Sequence, residues 1–447
     1  MNAPHQNRTV VLLLLLGILV TQAGCLGSQA RNIILMIGDG MGPSQIGAAW
    51  NYSTRVQGKE LYMVEVMKSG RTAYITNDNA GAIVTESAAA ATQIATGVRV
   101  TAGVVAMSPD GKTPLKTIME LAKDKRMGTG LVTTSEITDA TPAAFAAHVA
   151  HRSDEASVAL QQLHLGVDVL LGGGKRFFLP ETMGGKRKDG RDLLEGSRRA
   201  GYTVVGTASE FQQANSGKIL GLFTMGNMAY EIDRGKTAEP SLADMTAKTL
   251  EVLARNPKGF FVMIEGGRID HAAHRNDAAG TIRDVLAFDD AVGVALDFQK
   301  RNPDTLLIVT ADHETGGMAV VGNDLSAIQK AQASLEVILN ELGNSPTPEM
   351  IRDAVKRHLG IELREAEAKV LADDTIRKPG LKNYKNVSIH SLALVLRPYL
   401  GVSWASQTHT ASPLFAFGSG PGSEEVVGFR HNTELFRIMK SALEVGR

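Results

Sequence analysis

Four apolar runs constrain this chain more than anything else in it. Asn32–Ile37 stops before Asp39, Gly130–Thr134 before Asp139, Phe260–Ile264 before Glu265, and Thr305–Thr310 before Asp312 and His313. Short apolar runs bounded by turn residues read as buried strands. In an open parallel sheet, ligands sit outside the carboxyl ends of the strands. Four such ends would gather carboxylates and an imidazole in one place, which is the layout of a polynuclear metal site and implies an enzyme.

From Asn32 to about Val320, short apolar runs alternate with helical segments across Gly-rich turns. That alternation predicts an α/β fold with a large, mostly parallel central sheet and helices on both faces. Leu115–Lys123 reads as a helix, and Val167–Leu171 as a strand running into Gly172-Gly173-Gly174. Between about 324 and 397 the texture changes to charged, helically periodic sequence, namely Leu325–Leu342, Thr347–Leu359 and Glu362–Leu371. This block separates two candidate site segments, so it reads as a helical insertion in one catalytic domain covering 31–447. It would build an interface, shape the mouth of the site, or form a solvated excursion. Pro413–Phe417 and Glu425–Phe429 read as closing strands and Thr433–Glu444 as a last helix.

Lys plus Arg equals Asp plus Glu at 47 each, so no global charge points to nucleic acid, and no nucleic-acid-binding module is expected. Val10–Val20 is an unbroken apolar stretch of 11 residues after Arg8. A membrane span needs about 20, so residues 1–30 read as a secretory signal. Ser28-Gln29-Ala30 offers one cleavage site, and Ala23-Gly24-Cys25 resembles the end of a lipobox, with Cys25 as a lipid anchor. Gln22 fits the lipobox poorly. Export to a periplasm or to a membrane as a lipoprotein follows. Cys25 is the only cysteine, so the mature chain folds without disulfides and holds any metal through His, Asp, Glu and hydroxyls.

The segment Glu265-Gly266-Gly267-Arg268-Ile269-Asp270-His271-Ala272-Ala273-His274 is the most specific. Asp270 and His274 are four apart, so a helix places both on one face, as two ligands of one ion require. The bland alternative makes Asp270 a helix cap and His274 a surface residue. Asp312-His313 sits at a strand end, where a turn can direct both at one ion. Asp39 lies in Gly38-Asp39-Gly40-Met41-Gly42, where an Asp usually serves the turn alone. Ser87 opens the Ala-rich segment Ser87–Thr96. Its ordinary reading is an N-cap. Its functional reading is a nucleophile at a helix N-terminus, where the dipole and free N–H groups favour an anion. With no His-based triad motif nearby, a metal would have to ionise it. His409 and Arg152 are unremarkable alone. His148, His151, His164, His358, His390 and His431 lack strand-end context.

Taken together, Ile37–Gly42, Val84–Gly97, Thr138–Arg152, Val167–Lys175, Ile264–His274, Val309–Gly317 and Trp404–Gly422 closely resemble the alkaline phosphatases, in that family's order. The resemblance implies a phosphomonoesterase acting on small phosphate monoesters through a phosphoserine, with two zinc ions and one magnesium. By matching position, Asp270, His274 and His409 would bind the first zinc, and Asp39, Asp312 and His313 the second. Asp39 would also reach magnesium, completed by Asp139, Thr141 and Glu265. Ser87 would accept the phosphoryl group and Arg152 would fork onto its oxygens. A homodimer is typical of the family.

Three departures stand out. Glu86 replaces the Asp that many members carry before the serine. His271 stands where the best-known enterobacterial enzymes have Lys, and would contact phosphate indirectly or through Asp139. The disulfides of those enzymes are absent. A sulfatase is disfavoured because Ser87-Ala88-Ala89-Ala90-Ala91 lacks the Cys/Ser-x-Pro-x-Arg motif. A diesterase side activity and a non-catalytic phosphate- or metal-binding lipoprotein are the other readings.

Overall fold

The apolar runs become the centre of one ten-stranded sheet. The structure is a computed structural model that describes residues 30–343, 346–376 and 385–444. The proposed leader and Cys25 lie outside the described residues. In chain order the sheet strands are β1 (Asn32–Gly38), β2 (Arg71–Thr76), β3 (Gly128–Glu136), β4 (Val169–Gly173), β5 (Thr203–Val205), β6 (Ile219–Leu222), β7 (Phe260–Glu265), β8 (Thr305–Ala311), β9 (Leu414–Ser419) and β10 (Gly428–His431). Their spatial order is β10-β2-β9-β8-β1-β7-β3-β4-β6-β5. Only β9 runs antiparallel to its neighbours, so the expected mostly parallel sheet is what forms.

The four strands read as site-bearing, β8, β1, β7 and β3, are consecutive neighbours in the middle. Their register brings the ends level: Ile37 pairs with Glu265 on one side and with Thr310 on the other, and Thr133 pairs with Glu265. Every residue of β1, β7 and β8 is buried. This explains the unbroken hydrophobic sequence, since a strand covered on both faces has no solvent side to mark by alternation.

The helix Ser87–Thr96 (α1) forms as expected, and Ala140–Ala146 (α2), Arg268–His274 (α3) and Ala278–Arg301 (α4) pack around the site. Other boundaries moved for local reasons. The helix expected over Leu115–Lys123 starts at Ile118, where Thr117 and Glu120 form a capping box. The strand expected over Glu425–Phe429 begins only at Gly428, after a 3-10 turn at Ser423–Glu425 and a left-handed Gly428 (φ 75°). Strand β2 is an addition to the expected strands. It is half-exposed and polar at its start, so its sequence carries little hydrophobic signal.

The block at about 324–397 is helical: α5 (Leu335–Leu342), α6 (Pro348–Leu359), α7 (Glu365–Ile376) and α8 (Lys385–Leu400). The chain leaves and returns at one place, because Met318–Val320 pairs antiparallel with Val402–Trp404. Its apolar residues, among them Leu335, Ile338, Val355 and Leu396, share a core with Ala278, Ala279 and Ile282 of α4. The block is thus docked on the sheet's flanking helix rather than extended into solvent.

Candidate active site

Asp39 follows β1, Glu265 ends β7, Asp312 and His313 follow β8, and Asp139 follows β3 as the N-cap of α2. All of these strand-end residues reach one site. Gly40 makes the turn tight: its φ is 67°, and a Cβ there would lie 2.8 Å from Asp270 Oδ1 and from Thr315 Oγ1. Its backbone N–H donates to Asp312 Oδ1 at 3.2 Å. The remote His409 arrives through a two-residue ribbon in which His409 pairs with Thr315.

Two trios of side chains emerge whose ligand atoms lie within 4.8 Å of one another: Asp270, His274 and His409, and Asp39, Asp270 and His313. Asp270 thus belongs to both. In the first trio, His274 Nε2 is 3.3 Å from Asp270 Oδ2, and His409 Nε2 is 3.7 Å from Asp270 Oδ1. In the second, His313 Nε2 is 3.5 Å from Asp39 Oδ1, and also 3.3 Å from Asp312 Oδ2.

The tautomers follow from the partners. His274 Nδ1 meets the Gln407 carbonyl at 2.6 Å and His409 Nδ1 meets the Thr85 carbonyl at 2.9 Å. A carbonyl only accepts, so both rings carry a proton on Nδ1. Their Nε2 atoms face each other at 3.0 Å, an arrangement that needs a cation or a shared proton between them. His313 behaves alike: Thr315 Oγ1 gives its proton to Asp270 at 2.5 Å and lies 3.3 Å from His313 Nδ1. Imidazoles held through Nδ1 present Nε2 as ligands, the usual outer support of a metal site.

The oxygens fit metals as well. Asp39 Oδ1, Asp312 Oδ2, Glu265 Oε2 and Thr141 Oγ1 are buried with no hydrogen-bond partner among the described residues. Buried polar atoms are normally satisfied, and several anionic ones together call for cations. Burial first, then the neighbouring carboxylates, pushes Asp39 well above the carboxylate range, Asp312 up to about 7 and Glu265 up to about 8. Burial opposes ionisation of Asp270 too, yet the His274 hydrogen bond and the surrounding imidazoles hold it well below its ordinary value.

These shifts set a pH dependence. A carboxyl whose folded pKa is raised binds more protons folded than unfolded, so stability falls as pH rises from the unfolded value through the folded one. In metal-free protein, Asp312 and Glu265 therefore contribute stability below about pH 4 that is lost as pH climbs to about 7 and 8. Bound metal reverses this by favouring the ionised forms. The gap in melting temperature between metal-loaded and stripped protein should widen from pH 5 to about pH 8, the range over which Asp312 and Glu265 ionise. A gap that is flat or narrows with pH would contradict the assignment of these carboxyls.

Ser87 is 4 % exposed, and its Oγ lies 3.1 Å from His313 Nε2. It is not the N-cap of α1. Glu86 is, with Oε2 accepting from Ala88 N and Oε1 from Ala89 N and Gly103 N. Two of the helix's N-terminal N–H groups are thus occupied, and Ser87 is released from capping. Glu86 also accepts from Arg152 Nη1 at 2.8 Å, while Arg152 Nη2 donates to Asp139 Oδ1 at 2.7 Å. Burial raises Asp139, but the Arg152 charge and others bring it below the usual range. In the sequence Glu86 stands out only as a departure from the family's Asp, and nothing local marks it as the cap, since short Ser, Thr, Asp and Asn are the favoured N-cap residues.

His271 does not hydrogen-bond Asp139 or any other carboxylate among the described residues. Its Nδ1 lies 2.9 Å from Arg268 Nη1. Burial, and then the Arg268 charge, lowers its pKa to about 4, so it is neutral where a lysine would be charged. Glu314 was not singled out either. It is 2 % exposed and takes hydrogen bonds from Gln45 and Thr410, tying the loop after β8 to the His409 ribbon.

The family model described as alkaline phosphatase matches residues 30–445. Alkaline phosphatase 4 of Bacillus subtilis is 31% identical over 434 residues, covering 94% of this chain and 90% of its own. The crystal structure of Thermus thermophilus alkaline phosphatase superposes with a TM-score of 0.87 at 34% identity, covering 94% of this chain and 93% of that one. A mutant TAB5 alkaline phosphatase crystallised with Mg bound is 26% identical at a TM-score of 0.69, covering 94% and 99%. A continuous match of this extent, on a chain whose strand ends converge metal-binding groups beside a buried serine, means that the protein belongs to the alkaline phosphatase family, metal-dependent phosphomonoesterases that work through a phosphoserine.

Proposed function

We propose that Ser87 is the phosphate acceptor of a phosphate-monoester hydrolase whose site takes two Zn2+ and one Mg2+. The observation that carries this is the buried Ser87 hydroxyl, 3.1 Å from His313 Nε2, beside two imidazole–carboxylate trios that share Asp270. Asp270, His274 and His409 would hold the first zinc, and Asp39, Asp312 and His313 the second. The compact trio contains Asp270 in place of Asp312, but Asp312 Oδ2, 3.3 Å from His313 Nε2, would complete the set. Asp139, Thr141 and Glu265, with Asp39, would hold magnesium, supported by the unpartnered Thr141 and Glu265 oxygens. When bound, the ions lower the pKa of the serine hydroxyl and of water and neutralise charge on the phosphoryl group.

The chain's own residues do the rest. Ser87 stands at the first turn of α1, where the helix dipole favours the incoming anion. Each Nη of Arg152 gives one N–H to a carboxylate, leaving one apiece for two phosphate oxygens, a geometry suited to guanidinium. Glu86 and Asp139 hold that fork rigid, so the binding of a monoester dianion needs little reordering. A diester lacks the extra unesterified oxygen and gains less from the fork.

We read residues 31–447 as one catalytic domain with the helical block as its insertion. The chain would act as a homodimer after export to the periplasm or to a membrane through Cys25. The deciding experiment is hydrolysis of p-nitrophenyl phosphate at alkaline pH before chelation, after it, and after zinc and magnesium are restored. Activity lost and regained with metal is expected. Fully metallated protein without activity would overturn the reading and move attention to diesters and to a binding role.

A further inference from the structure

Arg268 is buried at the start of α3, its side chain only 7% exposed. Four contacts fix it. Its backbone N–H donates to Thr134 Oγ1 of β3 at 3.1 Å. Its guanidinium carbon lies 3.7 Å from the Tyr230 ring centroid, a distance at which a cation is attracted to the ring face. Nη2 stands 3.8 Å from Glu336 Oε2, and Nη1 lies 2.9 Å from His271 Nδ1. Guanidinium has donors and no acceptor, so in that last contact the imidazole must accept. His271 therefore keeps Nδ1 bare and carries its ring proton on Nε2, the reverse of what His274, His313 and His409 do.

Glu336 belongs to α5 of the helical block. Its Oε2 also meets Arg275 Nη2 at 3.0 Å, so one carboxylate spans the two arginines that flank His271. These are ion pairs rather than aligned hydrogen bonds, since Oε2 has no hydrogen-bond partner. The carboxylate is placed by the start of its helix. Leu335 N donates to Asp277 Oδ2 at 2.7 Å, and the other oxygen of Asp277 caps α4 through Gly280 N at 2.8 Å. Two helix N-termini are thereby clamped on one side chain. This fixes Glu336 against α3.

We propose that Arg268 is a positioning residue that sets His271 as the Nε2–H tautomer, and that the helical block holds Arg268 in place through Glu336. On the phosphomonoesterase reading, His271 then offers the site a neutral Nε2–H donor, next in sequence to the shared Asp270. The block's contribution is to brace that donor. Outer-shell partners of this kind typically change affinity or activity about 10- to 100-fold when removed.

The test uses the metal-loaded full chain labelled with 15N-histidine. Ring-nitrogen shifts distinguish the two neutral tautomers, and Arg268→Met, Glu336→Gln and His271→Asn are compared, the last assigning the signal. Wild type should show His271 protonated on Nε2. Arg268→Met should lose that single tautomer, Glu336→Gln should weaken it, and Arg268→Lys, which keeps a donor, should restore much of it. KM for p-nitrophenyl phosphate should rise about tenfold in Arg268→Met, with no further rise in Arg268→Met/His271→Asn over His271→Asn alone. A wild-type His271 protonated on Nδ1, or a tautomer unchanged by Arg268→Met, would overturn the proposal. So would fully additive effects in the double variant. If Arg268→Met fails to fold, Glu336→Gln, at a partly exposed side chain, decides alone. The tautomer is read without turnover, so an inactive wild type would sink the phosphatase reading and leave this one standing.

Discussion

Ser87→Ala should lower turnover of a phosphate monoester by on the order of 10³-fold or more while leaving metal content and melting temperature nearly unchanged. The hydroxyl is the only part of Ser87 that enters the site, at 3.1 Å from His313 Nε2. The capping of α1 is carried by Glu86, so no cap is lost with the serine. Had Ser87 been the N-cap, removal would have cost about 1 kcal/mol and confused the two roles. Stopped-flow assay, metal analysis and thermal melting on the same preparation separate them. Retained turnover would mean that water attacks phosphorus directly; a fall in metal content would mean that Ser87 is a ligand above all.

Asp270→Asn should cost more in metal than loss of any one histidine. Asp270 is the one residue common to both trios, and its ionised form is held by His274, His313 and His409 around it. An amide there removes the negative charge that offsets two cations, while Thr315, which donates to Oδ1 at 2.5 Å, keeps a partner. Zinc affinity measured by chelator competition should fall by more than about 100-fold at the first site, beyond the range of outer-shell effects, and by a smaller factor at the second, where Asp270 adds charge beside Asp39 and His313. His409→Ala should affect one ion. If the second zinc is held as tightly as in the wild type, Asp270 serves only the trio with His274 and His409, as the family resemblance alone implies.

Much of the site could be read from the chain because strand ends carry local signatures. An apolar run followed by Gly and Asp, or by Asp-His, marks both the strand and the candidate ligand. Asp270 and His274 declared themselves by helical spacing. His409 and Arg152 had no such mark. One depends on a two-residue ribbon with Thr315 and the other on a loop whose Arg152 N–H meets Gly103 O at 2.8 Å, so neither position follows from local pattern. Of the partners that hold the site, Glu86 stands out in the sequence only as a departure from the family's Asp, and Arg268, Glu314 and Glu336 carry no mark. Several of their contacts reach distant segments, Glu86 to Arg152, Glu314 to Gln45 and Glu336 to Arg268 and Arg275, and a charged residue in isolation reads as surface.

The sequence by itself determined that buried strands end in acids and imidazoles, because burial on both faces demands unbroken hydrophobic runs and the residues at their ends are of metal-binding type. Only the tertiary structure decided that β8, β1, β7 and β3 are neighbours with level ends, since strand order rests on crossover packing that no single run encodes. It also decided that Glu86 caps in place of Ser87 and ties to Arg152, that Asp270 belongs to two trios, and that the helical block reaches back to Arg268 and Arg275. Apart from the local cap bonds of Glu86, those are contacts between segments far apart in the chain. Their energies depend on distance and burial, which exist only once the chain has folded.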